Sequence, residues 1–181
     1  VVIDLDAFQF NKETRNTYRA KLGVSAQTKV VINVGRCTDQ KNHNFILDRA
    51  IELKNQAIFF VSIGEGPLLE ALQQRVNDEH IENVRLLGKQ FDVPQWLCAA
   101  DVFMFPSVYE GLGIVAIEAQ ANGLPVLSTD IIPEEADMNM GLFHRISLKE
   151  VEEWTRMLKV TSIDDETRIG KSTEAYNSKY N

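Results

Sequence analysis

Apolar positions along this chain follow two patterns that alternate from about residue 12 onward. Short, nearly continuous apolar runs are typical of strands buried on both faces, and apolar residues recurring every three or four positions are typical of helices. We predict strands at 29–34, 57–63, 84–87, 101–105 and 125–128. We predict helices at 12–22, 44–54, 67–78, 93–99, 110–122, 148–158 and 165–176. This alternation predicts an α/β fold, a Rossmann-like doubly wound parallel sheet with right-handed crossovers.

Three loops that follow predicted strands combine glycine with polar or charged residues. They are residues 35–42, 64–67 and 106–113. The carboxyl ends of parallel strands share one edge of the sheet, and ligands of doubly wound folds bind beyond that edge. We therefore expect these loops to lie together and to form the binding site.

The segment 106–126, PSVYEGLGIVAIEAQANGLPV, carries two carboxylates, Glu110 and Glu118, eight positions apart. If all eight positions are helical, a rise of about 1.5 Å per residue separates them by roughly 12 Å. That spacing would bracket a diphosphate at the helix N-terminus, where free N–H groups and the helix dipole favour anions. Gly111 and Gly113 would let the anion approach the backbone closely.

Segment 106–126 resembles the signature of family 4 of the retaining, nucleotide-sugar-dependent glycosyltransferases of the GT-B class, which have two Rossmann-like domains. The hallmark of that family is a pair of glutamates with seven residues between them, the spacing of Glu110 and Glu118. Further segments resembling family motifs are VINVGRCTDQKN (31–42), FVSIGEGP (60–67) and VRLLGKQFDVPQWLCAADVFMFPS (84–107). The resemblance extends from about residue 29 to 135 and implies one half of a GT-B fold.

The resemblance implies roles for individual residues. Arg36 and Lys41 match the cations that contact the donor diphosphate, whose growing negative charge needs cations in the transition state. Glu118 matches the glutamate that binds the ribose hydroxyls, and Glu110 matches the glutamate near the donor sugar, which we predict to be catalytic. Leu112, also a predicted donor-binding residue, stands where many relatives carry phenylalanine. The remaining predicted donor-binding residues are Gly64, Lys89, Gln90, Gly111, Gly113 and Ile114.

Other interpretations of these residues stay open on the sequence alone. Arg36 and Lys41 could be solvated basic residues of a loop. Gly64 and its neighbour Gly66 could serve only a strand-to-helix turn, because the third glycine of the dinucleotide fingerprint is absent. Glu110 could be a helix-start carboxylate that interacts only with the dipole.

Composition and charge exclude several classes of function. The chain has 181 residues, 44% hydrophobic and 25% charged, which is ordinary for a soluble globular protein. A formal net charge of -7 argues against a nucleic-acid partner, since a surface that tracks a phosphate backbone is basic. No apolar run approaches the roughly 18 residues needed to span a bilayer, and no signal-peptide pattern opens the chain.

Cysteine and histidine positions predict neither a metal nor a cofactor. Cys37 and Cys98 lack metal and redox spacing, which favours reduced thiols in a cytoplasmic protein, and Cys98 is expected in the core. His43, His80 and His144 show no ligand spacing, and we expect a surface or loop role for each. The nucleotide-sugar itself would be a substrate, bound without a metal ion.

We divide the chain into an opening strand and helix (1–28), a nucleotide-sugar-binding Rossmann-like domain (29–160) and a C-terminal helical tail (161–181). A complete enzyme of the resembling family also has an N-terminal domain that holds the acceptor, and 181 residues leave no room for it. The chain opens on Val1 instead of methionine, so we do not expect residue 1 to be the natural start. We expect a donor-binding half that is inactive alone.

The resemblance implies transfer of a sugar from a nucleotide-sugar, with a UDP-sugar as the expected donor, to an acceptor in polysaccharide biosynthesis. The segments GLPVLSTDIIPEEA (123–136) and SLKEVEEWTRML (147–158) resemble bacterial capsular and exopolysaccharide glycosyltransferases. There the acceptor is a lipid-linked sugar, which implies a cytoplasmic enzyme peripheral on the inner face of the membrane. The alternatives are half of a sugar-nucleotide 2-epimerase and a non-catalytic nucleotide-binding module.

Overall fold

In the computed structural model, which describes residues 3–178, six strands form one sheet. They are β1 (Lys29–Val34), β2 (Ile58–Ile63), β3 (Val84–Leu86), β4 (Val102–Phe105), β5 (Val126–Thr129) and β6 (Phe143–Ile146). Their order is β3-β2-β1-β4-β5-β6, and every neighbouring pair is parallel. The chain therefore winds outward from β1 in both directions, and the predicted doubly wound α/β fold is confirmed.

Helices cover both faces of this sheet. They are α1 (Lys12–Leu22), α2 (His43–Glu52), α3 (Leu69–Asp78), α4 (Val93–Ala99), α5 (Ile114–Ala121), α6 (Val151–Val160) and α7 (Asp165–Tyr176). Short 3₁₀ segments occur at Leu5–Phe8, Asp39–Lys41 and Glu134–Ala136. No helix within the described residues combines the length and the apolar character that a membrane span requires.

Burial of β4 shows why its sequence is continuously apolar. All four of its side chains are buried with 0% exposure. Val102 and Met104 belong to a core cluster with residues of α2 and α6, whereas Phe103 and Phe105 belong to a cluster with residues of α4 and α5. Successive side chains of a strand point to opposite faces, so a strand covered on both faces has no polar side.

Two parts of the sequence-based description differ from the structure. Residues 3–10 contain the 3₁₀ helix Leu5–Phe8 where we predicted part of an opening strand, because buried Leu5 packs beneath α5 beside Ile117 and pairs with no strand. Strand β6, which we did not predict, pairs with β5 at the edge of the sheet. Residues 1–2 and 179–181 of the predicted opening strand and tail lie outside the described residues, and the three-part division stays a prediction.

A buried arginine joins the C-terminal ends of two helices. Arg168 of α7 is 1% exposed and donates to the carbonyl oxygens of Leu97 at 2.8 Å, Ala100 at 2.6 Å and Asn122 at 3.1 Å. Its guanidinium also donates to the side-chain oxygen of Asn122. These carbonyls end α4 and α5. The Ala100 oxygen also accepts from Arg15 and the Leu97 oxygen from the Ala100 N–H, whereas the two Asn122 oxygens have Arg168 as their donor among the described residues.

We predict that Arg168→Met lowers the free energy of unfolding by about 3–5 kcal/mol, because it leaves buried acceptors without a donor. Urea unfolding followed by circular dichroism measures the change. The matched control is Lys171→Met on the same helix, whose surface pair with Glu174 contributes at most about 1 kcal/mol. A loss no larger than that of the control would contradict the structural role of Arg168.

Candidate functional site

The loops that follow β1, β2 and β3 are joined through their backbones. The Gly35 N–H donates to the Ile63 oxygen at 2.9 Å, and the Gly64 N–H donates to the Gly88 oxygen at 2.8 Å. These bonds continue the ladder of the sheet beyond the strands. They confirm that the predicted loops 35–42 and 64–67 lie together at the carboxyl edge.

Gly64 and Gly66 allow this close approach. Gly64 has a φ of 146°, and a Cβ there would lie 1.9 Å from the Gly35 oxygen. Gly66 has a φ of 154°, and a Cβ there would lie 2.7 Å from the Cys37 oxygen. Both glycines are therefore required by packing against the loop after β1, and the predicted donor contact of Gly64 stays a prediction.

An open cavity of about 930 Å³ lies beyond the carboxyl ends of β1, β2 and β3. Its walls include Arg36, Gly64, Gly66, Lys89, Gln90 and Val93. A second cavity of about 790 Å³ lies at the opposite edge, near Ala57 and Asn83, and contains none of the predicted site residues. Of these two cavities, the one at the carboxyl edge has the position at which doubly wound folds bind ligands, so we take it as the candidate site.

Arg36 is the cation of this cavity that is available to a ligand. Its side chain is exposed, and its guanidinium has no hydrogen-bond or ion-pair partner among residues 3–178. Lys89, by contrast, forms a 3.4 Å ion pair with Glu65, and both side chains are more than half exposed. The Gln90 amide group donates to the Leu87 oxygen at 2.9 Å, which holds this side chain against its own loop.

The structure brings Lys41 and Glu110 into direct contact although 69 positions separate them. The Lys41 ammonium donates to Glu110 Oε1, and the two side chains are only 17% and 9% exposed. Lys41 belongs to the loop after β1 and Glu110 to the loop after β4, which are adjacent strands of the sheet. The order of the sheet places this ion pair where the winding direction reverses, which is the usual ligand position in such folds.

The segment around the two glutamates is less helical than we predicted. Helix α5 begins at Ile114, after Gly113 adopts a left-handed φ of 75°, so Glu110 lies in the loop and only Glu118 lies in the helix. The predicted start at residue 110 is wrong, and the roughly 12 Å separation calculated from helical rise does not apply. The loop is instead held by the contact of Glu110 with Lys41.

The other residues of the loop 106–113 differ in their surroundings. A Cβ at Gly113 would lie 3.3 Å from the Phe105 ring, so close packing requires glycine there. Gly111 is exposed, and a Cβ added there would have no heavy atom within 4 Å. Leu112 packs against the cluster that contains Ile117. The partly buried side chain of Leu112 therefore packs against α5, and its predicted donor contact stays a prediction.

Glu118 is a half-buried carboxylate on α5 without a partner among the described residues. Burial raises its pKa from 4.5 to about 7. An ionised carboxylate in this position lacks donors, and hydroxyl groups of a ligand would supply them. The environment is suited to binding vicinal hydroxyls, the contact that we predicted for this residue.

His43 is a correction to the expected surface or loop role. It is 3% exposed at the start of α2, and its Nε2 lies 3.9 Å from Cys37 Sγ. Burial lowers the pKa of His43 to about 4 and raises the pKa of the Cys37 thiol, so both groups are neutral near pH 7. His144 is half-buried in β6, whereas His80 is exposed as expected.

No group of three or more His, Cys, Asp or Glu side chains in the described part of the chain is placed to hold a metal ion.

Two polar residues that we did not single out connect the loops after β1 and β4. The side-chain amide of Gln40 donates to the main-chain oxygen of Tyr109 at 2.9 Å, and the main-chain oxygen of Gln40 accepts from the Val108 N–H at 2.9 Å. The Asn42 amide group donates to the Pro106 oxygen at 3.1 Å. Both residues flank Lys41 in the segment 31–42, which resembles a family motif, but the sequence cannot show that their partner is the loop after β4.

Comparison with known proteins gives a consistent result. The sequence pattern of the family described as "Glycosyl transferases group 1" matches residues 28–157. EpsF of Bacillus subtilis (strain 168), which is named as a glycosyltransferase, is 36% identical over 151 residues, covering 82% of this chain and 39% of EpsF. The UDP-Gal:alpha-D-GlcNAc-diphosphoundecaprenol alpha-1,3-galactosyltransferase of Escherichia coli is 32% identical over 135 residues, covering 71% of this chain and 35% of that enzyme.

Solved structures show the same fold. The crystal structure of Anabaena Alr3699/HepE in complex with UDP has a TM-score of 0.81 with 20% identity, covering 98% of this chain and 51% of that chain. The chain thus spans between about a third and about half of the length of these proteins. Since the family pattern covers most of the chain and the fold agrees with it, the protein belongs to the group 1 glycosyl transferases.

Proposed function

We propose that this chain is the donor-binding part of a retaining glycosyltransferase that takes a sugar from a UDP-sugar. The observation that carries the proposal is Arg36, a cation without a partner among the described residues, on the wall of the carboxyl-edge cavity. The chain as a whole has a net charge of -7, so an exposed and unpaired cation at this edge favours an anionic ligand. UDP is present in the similar HepE structure, which supports a uridine nucleotide as that ligand.

The proposed donor lies along the carboxyl edge from β3 to α5. Its base occupies the cavity beside Lys89 and Gln90, and its ribose hydroxyls donate to Glu118. Its diphosphate faces Arg36, Lys41 and the N-terminus of α5, where the N–H groups of the first turn have no helical partners. Raised by burial to about 7, the pKa of Glu118 shows that its ionised form is poorly solvated before the ligand arrives.

The proposed chemistry is stabilisation of a leaving group. Departure of a nucleoside diphosphate from the anomeric carbon builds negative charge on the phosphate oxygens, and fixed cations lower the barrier by binding that charge. Arg36 can bind two phosphate oxygens at once, whereas Lys41 acts as a point charge. We propose that Glu110 contacts the donor sugar and that no metal ion takes part, because Arg36 and Lys41 supply the positive charge.

Transfer also requires an acceptor held in reacting geometry, and such positioning contributes roughly 7–11 kcal/mol to a barrier. We propose that an N-terminal Rossmann-like domain holds the acceptor, and that the described chain alone binds the donor without transferring sugar. The E. coli relative is named for a diphosphoundecaprenol-linked acceptor. By analogy we propose a lipid-linked sugar as the acceptor, polysaccharide biosynthesis as the process, and a cytoplasmic location at the inner face of the membrane.

We predict that Arg36→Gln weakens UDP binding by about ten- to a hundredfold, since a hydrogen bond to a charged group contributes about 1.5–3 kcal/mol. Isothermal titration calorimetry with UDP, GDP and NAD measures affinity and base preference, with and without EDTA. Arg156→Gln, which removes an exposed cation on α6, is the matched control and should leave the affinity unchanged. The diphosphate assignment is wrong if both variants bind UDP equally well, and loss of binding in EDTA would overturn the metal-free proposal.

We predict that Glu118→Gln removes a pH dependence from the stability of the ligand-free protein. The folded-state pKa of Glu118, about 7, lies above the unfolded value of 4.5, so the folded protein keeps the Glu118 proton up to a higher pH than the unfolded chain does. The free energy of unfolding of the native sequence therefore falls between about pH 4.5 and pH 7, and the neutral amide does not share this loss. Urea unfolding should show a difference that is small near pH 4 and favours the variant near pH 8.

An equal difference between the two proteins at every pH would show that Glu118 is not held in a costly ionised form. Glu152 is an exposed residue of α6, and Glu152→Gln serves as the control for loss of one negative charge. The same variants also test the ribose contact, because Glu118→Gln should weaken UDP binding while Glu152→Gln should not.

A further inference from the structure

Lys41 is already engaged in the ligand-free structure. Its ammonium donates to Glu110, and its Nζ lies 5.7 Å from the centre of the Phe105 ring. Its methylene groups pack on the loop below, so that a Cβ at Gly35 would lie 3.3 Å from Lys41 Cδ. The methylene groups of Lys41 are therefore packed, and Glu110 pairs with its charge.

Apart from this ion pair, the hydrogen bonds between the loop after β1 and the loop after β4 are neutral. Gln40 exchanges two bonds with the loop after β4, and Asn42 adds one to the Pro106 oxygen. The bond between Lys41 and Glu110 is the charged contact in this set, and it is the most sensitive to a second anion. A diphosphate that approaches Lys41 competes with the Glu110 carboxylate for the same ammonium, because both are anionic acceptors of its charged hydrogen bonds.

We propose that Glu110 is an internal counter-anion, which occupies Lys41 until the diphosphate of the donor takes its place. This proposal rests on the proposed function, namely that a nucleoside diphosphate binds at the carboxyl edge. The exchange makes Lys41 available to phosphate oxygens and at the same time frees the Glu110 carboxylate from its partner. Glu110 thereby sets the affinity for the nucleotide, in addition to any contact that it makes with the sugar.

The exchange makes a specific demand on the ligand. A ligand with two phosphate groups competes with the carboxylate for the ammonium, whereas the uncharged nucleoside cannot. Removal of the Glu110 charge should therefore strengthen binding of the diphosphate and leave binding of the nucleoside unchanged. The effect should also require Lys41, because it operates through release of this side chain.

Calorimetric titration of the chain with UDP and with uridine tests the proposal. Glu110→Gln keeps the shape of the side chain and removes its charge, and we expect it to bind UDP about tenfold more tightly, equivalent to about 1.4 kcal/mol. Glu79→Gln removes the same charge from an ion pair with Arg75 at the opposite edge and should bind UDP as the native sequence does. Near-ultraviolet circular dichroism establishes that each variant is folded.

A double-mutant cycle that combines Glu110→Gln with Lys41→Met separates this mechanism from general repulsion between charges. We expect Glu110→Gln to give no gain in a chain that also carries Lys41→Met. A tenfold gain in both backgrounds, or unchanged or weaker UDP binding by Glu110→Gln alone, would overturn the counter-anion role. Those results leave the proposed function standing if the native sequence binds UDP. Failure of the native sequence to bind UDP overturns the proposed function, and the counter-anion role with it.

Discussion

The close approach of the loops after β1 and β2 is the constraint on which the candidate site depends. Gly64 lies so near the Gly35 oxygen that a side chain of any size would separate the two loops. Because the loops stay together, Arg36 is held on the wall of the cavity, where its Cγ would lie 3.0 Å from a Cβ at Gly66. A local steric requirement thus places one of the two cations that the proposed chemistry uses, and contact with the loop after β4 holds the other, Lys41.

Strand and helix positions could be predicted well where burial dictates the sequence. Strands covered on both faces must be continuously apolar, and all five predicted strands agree with the structure to within one residue at each end. Edge strand β6 was missed because Phe143–Ile146 mixes polar with apolar side chains and is only partly buried. The start of α5 was misplaced because contacts with a distant loop, rather than local propensity, decide the conformation of residues 108–113.

Part of the candidate site, too, could be predicted from the sequence and part could not. The resemblance to a family singled out Arg36, Lys41 and both glutamates as candidate site residues, and the positions of Arg36, Lys41 and Glu110 after strands predicted that these three lie at one edge. The pairing of Lys41 with Glu110 could not be predicted, because it depends on β1 and β4 being neighbours in the sheet. Burial of His43 depends likewise on the packing of α2 against the sheet, which one apolar pattern does not reveal.

The central claim is that a nucleotide donor occupies the carboxyl edge of the sheet. Amide chemical shifts of the isotope-labelled 181-residue chain, recorded by NMR during titration with UDP, test it most directly. We expect changes concentrated in the loops at 35–42, 64–67, 88–91 and 106–114. Changes concentrated around the cavity near Ala57 and Asn83, at the opposite edge, would contradict it, as would a spectrum that UDP leaves unaltered.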